Sequence, residues 1–166
     1  DKMLYKGFIF FGIMKVGNEP FVIEYNCRLG DPETEVILPR LKTDLLSLLE
    51  GVATDTLGEY DIHIDEKSAT TVMLVAEGYP EAFEKGKEIK GLEEVKDSLI
   101  FHAGTKLSGK EQKLLTNGGR VMALTSLALR SEDATYLSNR NAAAVRYSGK
   151  YFRKDIGEDL LKFTNK

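Results

Sequence analysis

Apolar side chains dominate the first part of the chain, where residues 5–16 are rich in aromatic and β-branched types. Such a composition favours a β-strand, and Gly7 and Gly12 within it allow bends or the close approach of another backbone. Residues 16–20 predict a turn, because their Gly and Asn tolerate positive φ and their Pro resists continued pairing. Residues 21–26 return to a strand-like pattern, so the segment predicts a β-hairpin with a loop of about four or five residues.

Two helices are predicted after the hairpin. The first begins near Asp31, which can accept hydrogen bonds from free backbone N–H groups, and Pro32 suits the first helical position. Glu33 favours the positive end of the helix dipole, and Pro39 is expected to stop or kink the helix. The second helix has Thr43 as its predicted cap, and its apolar residues recur at helical spacing: Leu45, Leu46, Leu48, Leu49 and Val52.

The composition turns polar over residues 54–68, and we place a domain boundary there, which divides the chain into residues 1–60 and 61–166. Beyond the boundary, short apolar runs alternate with turns that contain glycine, a pattern typical of antiparallel strands. The predicted strands are residues 69–76, 98–103 and 119–129, and the predicted helices are residues 132–147, capped by Ser131, and residues 157–163. The predicted fold class is α+β, with mostly antiparallel strands.

Composition and charge narrow the classes of function. The 166 residues include 23 Lys and Arg against 26 Asp and Glu, a formal net charge of -3, so the chain lacks the basic surplus typical of nucleic-acid binding. No apolar run reaches the length of a membrane span, and no signal-peptide pattern is present. Cys27 is the single cysteine, which excludes an internal disulfide and a cysteine-based zinc cluster. These features predict a cytoplasmic protein with no nucleic-acid or membrane partner.

The start of the chain adds an expectation about its length. Asp1 is the first residue, and the apolar run begins within a few positions of it. A native start more often has a methionine and a polar lead-in. We therefore expect this chain to be part of a longer polypeptide whose N-terminal part is not included.

The candidate chemistry lies on the second strand of the hairpin. Alternate side chains of a strand share a face, so Glu24 and Asn26 are expected to point together, and Arg28 joins them if the strand persists. Their carboxylate and amide oxygens suit Mg²⁺, and a guanidinium can hold a phosphoryl group. The opposite face is expected to enter apolar packing through Phe21, Ile23 and Tyr25. Spacing alone leaves open that the polar face is only the solvated side of a half-exposed hairpin.

A close resemblance to the phosphoribosylamine–glycine ligases, a family of ATP-grasp enzymes, is carried by residues 22–35, which read V-I-E-Y-N-C-R-L-G-D-P-E-T-E. The G-D-P-E-T continuation distinguishes this family from ATP-grasp carboxylases, which generally share only E-x-N-x-R. Further matches to the family are Tyr5-Lys6-Gly7, Gly78-Tyr79-Pro80, and residues 102–105, 117–121 and 153–157. The resemblance covers essentially the whole chain. It implies the last strands of an ATP-grasp domain followed by a small, β-rich, mostly antiparallel C-terminal domain with one or two helices.

The resemblance also implies an activity. Enzymes of this family join glycine to 5-phosphoribosylamine through a glycyl phosphate, with ATP as co-substrate. By resemblance, Glu24 and Asn26 bind Mg²⁺ or Mn²⁺, and Arg28 holds the transferred phosphoryl group. One departure affects the ligand set: many ATP-grasp enzymes place another acidic ligand on the preceding strand, yet residues 8–14 contain no carboxylate. Either Glu24 bridges two ions or one ion binds weakly.

Two other pairs are weaker candidates. The resemblance places Asp31 and Glu33 on a turn that lines the site for glycine or the amine. Arg153 and Lys154 are cations that can reach the sugar phosphate, and a basic pair on the surface explains them equally well. Because the family's ATP-holding lysines and glycine-rich loop lie upstream, we expect the isolated chain to be inactive.

Other classes of function stay open beside the ligase. One is another ATP-grasp ligase or a carboxylase subunit, and another is a binding module without catalysis. Residues 104–110 match the spacing G-x-x-x-x-G-K of a phosphate-binding loop, but Glu111 stands where a Ser or Thr should bind Mg²⁺. A hairpin loop is the favoured interpretation there. His102 is interpreted as structural and Cys27 as unreactive, because no catalytic partner of either is visible.

Overall fold

The computed structural model describes residues 4–109 and 112–158. The chain divides into two compact units, Asp1–Asp65 and Glu66–Lys166, and each is described by itself. Helices and mostly antiparallel strands make the fold class α+β, as the sequence predicts. No described helix is long and apolar enough to cross a membrane.

The first unit opens with an antiparallel ribbon of β1, Phe10–Val16, and β2, Glu19–Asn26. Val16 pairs with Glu19, so the loop holds only Gly17 and Asn18, and the predicted loop of four or five residues is wrong. Gly17 has φ +63°, which lets the chain reverse in two residues. Pro20 pairs with Lys15 despite lacking an N–H group, and it is tolerated because, in the described part of the chain, β2 has a partner strand on one side only.

A β-bulge interrupts the ribbon at Ile23. Ile13 pairs with Val22 while its neighbour Gly12 pairs with Glu24, so Ile23 is the extra residue on β2. The bulge reverses the alternation of β2, which separates Phe21 from the face of Tyr25. The expected apolar packing of Phe21, Ile23 and Tyr25 is also not found among the described residues of the unit, where they are 55%, 62% and 72% exposed.

Two helices complete the first unit: α1, Thr34–Arg40, and α2, Leu45–Thr54. The predicted helix start at Asp31 is wrong, because residues 31–33 form a turn and the N-cap position of α1 is Glu33. Pro39 lies in the last turn of α1, which ends one residue later, as predicted.

The cap of α2 differs from the prediction by one residue. Asp44 occupies the N-cap position, and its carboxylate accepts a hydrogen bond of 2.8 Å from the backbone N–H of Ser47. Thr43 instead donates its hydroxyl to the carbonyl of Asp61 and accepts from the N–H of His63. The Thr43 hydroxyl therefore fixes a later loop and leaves the helix end to Asp44.

The second unit is built on a four-stranded antiparallel sheet in the order β4-β7-β3-β8, with a separate β5–β6 hairpin. Its strands are β3 Ser68–Ala76, β4 Leu99–His102, β5 Thr105–Leu107, β6 Leu114–Thr116, β7 Arg120–Ala128 and β8 Lys150–Tyr151. The three strands predicted for this unit are confirmed as β3, β4 and β7. Residues 105–107 form a strand that pairs with β6, in agreement with the favoured hairpin interpretation, and Lys110 and Glu111 of this segment lie outside the described residues.

Helix α3, Ser131–Ala144, packs against β3 and β7 and closes the core of the second unit. The predicted cap at Ser131 is wrong, because Ser131 is already helical and the N-cap position, Arg130, makes no side-chain cap bond. The helix ends at Ala144 and not at residue 147. Of the last predicted helix, 157–163, residues 159–163 lie outside the described part of the chain.

Candidate functional site

Glu24 and Asn26 lie at the end of β2 and project from the same side of the ribbon. Their partners on β1 are Gly12 and Phe10, and both pairs lie beyond the bulge at Ile23, so the alternation between them is regular. Two strand residues are separated by roughly 7 Å. Because ligand oxygens lie about 2 Å from Mg²⁺, the longer Glu24 side chain must lean towards Asn26 for both to bind one ion.

Gly12 gives the Glu24 side chain room to lie across the ribbon. A Cβ atom built on Gly12 would approach the Cγ of Glu24 to 3.2 Å, closer than ordinary contact. Glu24 is exposed and Asn26 is half-buried. Both therefore offer hard oxygen donors at an accessible surface, and this donor set fits a divalent cation.

The described part of the chain does not show a complete set of acidic metal ligands. No group of three or more His, Cys, Asp or Glu side chains is arranged there to hold a metal ion. Mg²⁺ usually keeps several waters and binds one or two carboxylates together with substrate phosphates. Glu24 and Asn26 offer one carboxylate and one amide oxygen, the number of donors that such a partial set needs, and residues 8–14 contain no carboxylate.

Arg28 lies beyond the strand. Because β2 ends at Asn26 and the next two residues form a bend, the strand alternation that would place Arg28 beside Glu24 does not extend to it. One guanidinium N–H of Arg28 donates to the carbonyl of Leu29 at 2.9 Å, and the side chain is exposed. Arg28 thus belongs to the loop after the ribbon, where its direction depends on that loop.

A tight turn follows Arg28 and contains Asp31 and Glu33. The carbonyl of Gly30 accepts two hydrogen bonds from Thr34, one from its N–H at 3.0 Å and one from its hydroxyl at 2.6 Å. The carboxylate of Glu33 folds over Gly30, where a Cβ atom would come within 2.8 Å of its carboxyl carbon. A larger residue at position 30 would therefore require the flexible end of the Glu33 side chain to shift. Asp31 and Glu33 are both exposed.

Arg153 and Lys154 lie in the second unit. The guanidinium of Arg153 donates to both carboxylate oxygens of Asp155, at 3.0 and 2.7 Å, and this contact holds the pKa of Asp155 below its usual value. Lys154 is exposed. An anion bound by Arg153 would have to share its donors with Asp155, so the structure gives this pair less weight than the residues of the ribbon.

A contact that the sequence analysis missed lies before β1. The hydroxyl of Tyr5 is 2.9 Å from the carbonyl of Phe8 and 2.9 Å from the carbonyl of Cys27. The ammonium of Lys6 lies 2.6 Å from the carboxylate of Asp55 and donates to the carbonyl of Ala53. The match of residues 5–7 to a family pattern was the available signal, but nothing local in the sequence indicates a partner so distant along the chain.

The second unit also carries a shallow groove of about 860 Å³, lined in part by Glu77, Lys87, Lys90, Arg146 and Lys150. Its cations already have partners. Lys87, Lys90 and Arg146 form ion pairs with nearby glutamates. Lys150 donates to carbonyls at the end of α3, and burial lowers its pKa. The groove therefore offers less charge to an anion than its lining suggests.

Comparison with known proteins places these features in a family context. Residues 69–159 match the family model described as phosphoribosylglycinamide synthetase, C domain. The chain is 40% identical to the phosphoribosylamine–glycine ligase of Caldanaerobacter subterraneus subsp. tengcongensis, over 94% of this chain and 37% of that protein. It is also 40% identical to the trifunctional purine biosynthetic protein adenosine-3 of Gallus gallus, over 96% of this chain and 16% of that protein.

Solved structures agree with the sequence matches. The phosphoribosylamine–glycine ligase of Thermotoga maritima superposes with a TM-score of 0.76 at 35% identity, covering 89% of this chain and 36% of that one. The biotin carboxylase of Campylobacter jejuni superposes with a TM-score of 0.55 at 16% identity, covering 95% of this chain and 35% of that one, a likeness of fold alone. The chain thus spans little more than a third of the single-function ligases that it matches.

Proposed function

The chain belongs to the phosphoribosylglycinamide synthetase family, and from this premise we propose that it is the C-terminal part of a cytoplasmic ligase of purine biosynthesis that joins glycine to 5-phosphoribosylamine. The family match, which covers more than half of the chain, supports the proposal. So does the 40% identity to a protein named as this ligase. The single observation that carries the chemistry is the pair of oxygen donors, Glu24 and Asn26, on one accessible side of the ribbon.

The proposed reaction has two steps. A carboxylate oxygen of glycine attacks the γ-phosphorus of ATP, the bond to the bridging oxygen breaks, and ADP leaves with formation of glycyl phosphate. The amine of 5-phosphoribosylamine then attacks the acyl carbon, phosphate leaves, and the amine nitrogen loses a proton. The products are glycinamide ribonucleotide, ADP and phosphate. Positioning and neutralisation of charge dominate the catalysis of phosphoryl transfer.

The residues after the bulge take distinct roles in this proposal. Glu24 and Asn26 would hold Mg²⁺ or Mn²⁺, which supplies neutralisation of the charge on the phosphate oxygens. Arg28 orients the transferred phosphoryl group and stabilises its charge, because a guanidinium matches the geometry of phosphate oxygens. The turn with Asp31 and Glu33 is proposed to line the place of glycine or the amine.

The proposed partner of the ribbon is the remainder of the same polypeptide. Apart from Phe10, the apolar residues on both faces of the ribbon are half exposed or more, which is unusual for a soluble protein. Neither strand has a second neighbour among the described residues. Both features support a larger sheet and core in the parent protein, which would also supply the ATP-holding residues. We therefore propose that the isolated chain is inactive, and that Arg153 and Lys154 contribute to binding the sugar phosphate only in the parent.

The test is an assay of ADP formation by the full-length polypeptide that contains this chain. The proposal expects ADP release that requires both glycine and 5-phosphoribosylamine. Release that requires bicarbonate in place of glycine would support a carboxylase, and no ATP turnover with either would support a binding module. Titration of the isolated chain with ATP and Mg²⁺ is the companion experiment, and submillimolar binding would contradict the assignment of ATP contacts to the missing part.

A further inference from the structure

The segment before β1 contains a tyrosine that reaches across to the end of β2. The Tyr5 hydroxyl is 2.9 Å from the carbonyl of Cys27, which is 22 residues away in the sequence, and equally far from the carbonyl of Phe8. Gly7 has φ +147°, and a Cβ atom there would lie 2.7 Å from the Tyr5 hydroxyl. The glycine is therefore needed for the tyrosine to fold back over its own chain.

Lys6 anchors the same segment at a second point. Its ammonium pairs with Asp55 at 2.6 Å and donates to the carbonyl of Ala53 at 3.1 Å, at the C-terminal end of α2. An exposed ion pair contributes little to stability by itself. Its effect here is to restrict where the backbone of residues 5 and 6 can lie, so the Tyr5 hydroxyl approaches Cys27 from an anchored segment.

The Cys27 carbonyl that Tyr5 contacts lies in the chain between Asn26, a proposed metal ligand, and Arg28, the residue proposed to hold the phosphoryl group. The β1–β2 ladder ends at the pair Phe10 and Asn26, so ladder hydrogen bonds do not extend to Cys27 and Arg28. The bend at these residues sets the direction in which Arg28 leaves the ribbon. A hydrogen bond to the Cys27 carbonyl is thus placed where it can restrain Arg28 relative to Asn26.

We propose that Tyr5 is a positioning residue that holds the bend at Cys27 and thereby orients Arg28 towards the transferred phosphoryl group. This inference rests on the proposed function and deepens it. Tyr5 touches no reacting atom, and its hydroxyl acts through the backbone of Cys27. Misplacement of a catalytic group by about 1 Å can lower turnover by a factor on the order of 100.

The experiment compares Tyr5→Phe with the wild type in the full-length polypeptide that contains this chain. Removal of the hydroxyl alone should lower kcat by roughly 10-fold, with KM for glycine changed by less than about 2-fold, because positioning acts on the phosphoryl transfer step. Tyr136→Phe is the matched control, since Tyr136 is an exposed tyrosine on α3 in the other unit, and it should leave kcat unchanged.

A double-mutant cycle separates positioning from general damage. If Tyr5 acts through Arg28, Tyr5→Phe should have little further effect on kcat in an Arg28→Ala background. An equal loss of kcat in both backgrounds would overturn the proposal, and so would a kcat within about 2-fold of wild type for Tyr5→Phe alone. A lowered melting temperature with unchanged kcat would assign Tyr5 a structural role only.

Hydrogen exchange tests the positioning even if the ligase assignment fails. In the same full-length polypeptide, exchange of the peptide covering residues 24–33 should become faster in Tyr5→Phe, while peptides of the second unit keep the wild-type rate. Unchanged exchange in residues 24–33 would overturn the proposed restraint. Absence of glycine-dependent ADP formation in the wild type would instead overturn the proposed function.

Discussion

The ribbon of the first unit and the sheet of the second unit are built from comparably apolar strands, yet only the second buries them. Leu124 at the centre of β7 is 0% exposed, whereas Ile23 on β2 is 62% exposed. The difference lies in their neighbours. Strand β7 pairs with β4 and β3 and is covered by α3, whereas β2 has β1 as its only partner among the residues that the structure describes. Apolar composition is therefore sufficient to predict a strand, but burial requires neighbouring elements.

The polar groups of the two units differ in the same way. In the second unit, the buried Asn141 donates to the carbonyl of Lys96 at 2.6 Å and to the hydroxyl of Ser98 at 2.5 Å, and its side-chain oxygen accepts from the N–H of Lys96. Ser138 connects the same region to the carbonyl of Thr70. The polar atoms of these two side chains are occupied by hydrogen bonds within the fold. Glu24, by contrast, lies at an accessible surface, where its oxygens are available to a ligand.

The largest expected effect tests the contrast in burial directly. Leu124→Ala should lower the free energy of unfolding by about 2–5 kcal/mol, because it removes buried contacts and leaves a cavity. In the same 166-residue chain, Ile23→Ala should change it by less than about 0.5 kcal/mol. Urea unfolding of both variants measures the difference. A comparable loss for Ile23→Ala would mean that the ribbon is buried in solution.

The next effect tests the contrast in function. Glu24→Ala in the full-length polypeptide should lower turnover on the order of 100-fold or more, because it removes a ligand of the proposed cation that neutralises phosphate charge. Glu19→Ala, on the same strand next to the turn, is the matched control and should retain normal turnover. Near-normal rates in Glu24→Ala would remove this residue from the mechanism.

A smaller effect tests the buried polar groups. Asn141→Ala should destabilise the chain by about 1–3 kcal/mol, because it leaves the Lys96 backbone groups and the Ser98 hydroxyl with fewer partners. Tyr136→Ala, on an exposed part of the same helix, should change stability by less than about 0.5 kcal/mol. Thermal unfolding compares the two, and equal stability of both variants would contradict the structural role given to Asn141.

The smallest effect compares the helix starts of the two units. The hydrogen bond from the Ser47 N–H holds the pKa of the Asp44 carboxyl below its ordinary value of 3.8, so its contribution to stability is present above that value and is lost as the pH falls through the folded pKa. Asp44→Ala should therefore reduce the difference in melting temperature between about pH 5 and pH 3. Ser131→Ala should leave that difference unchanged, because Ser131 has no ionisable carboxyl and is not the N-cap residue of α3.

Sequence patterns predicted element types better than element ends. The helical spacing of Leu45, Leu48 and Leu49 located α2, and the long apolar runs located β3 and β7. The caps were wrong at Asp31, Thr43 and Ser131, because several neighbouring polar residues can each cap a helix. Which of them does so depends on the contacts of the others, as the bonds of Thr43 to Asp61 and His63 demonstrate.

The placement of the candidate site residues was likewise predicted from the sequence only in part. Local alternation was enough to place Glu24 and Asn26 on one side of β2, because both follow the bulge. Alternation failed for Phe21 and Arg28, because the bulge at Ile23 reverses the faces and the strand ends at Asn26. The assignment of these residues to metal and phosphoryl binding stays a prediction.

By itself, the sequence determined the α+β class, the principal strands and helices and the family, because these depend on composition, periodicity and a long specific motif. The tertiary structure alone decided the two-residue loop, the bulge, the caps and the contact between Tyr5 and Cys27. Each of these depends on which distant backbone groups meet, and a hydrogen bond between residues 22 positions apart leaves no periodic trace in the chain. Burial was decided in the same way, since an apolar strand becomes part of a core only where other elements cover it.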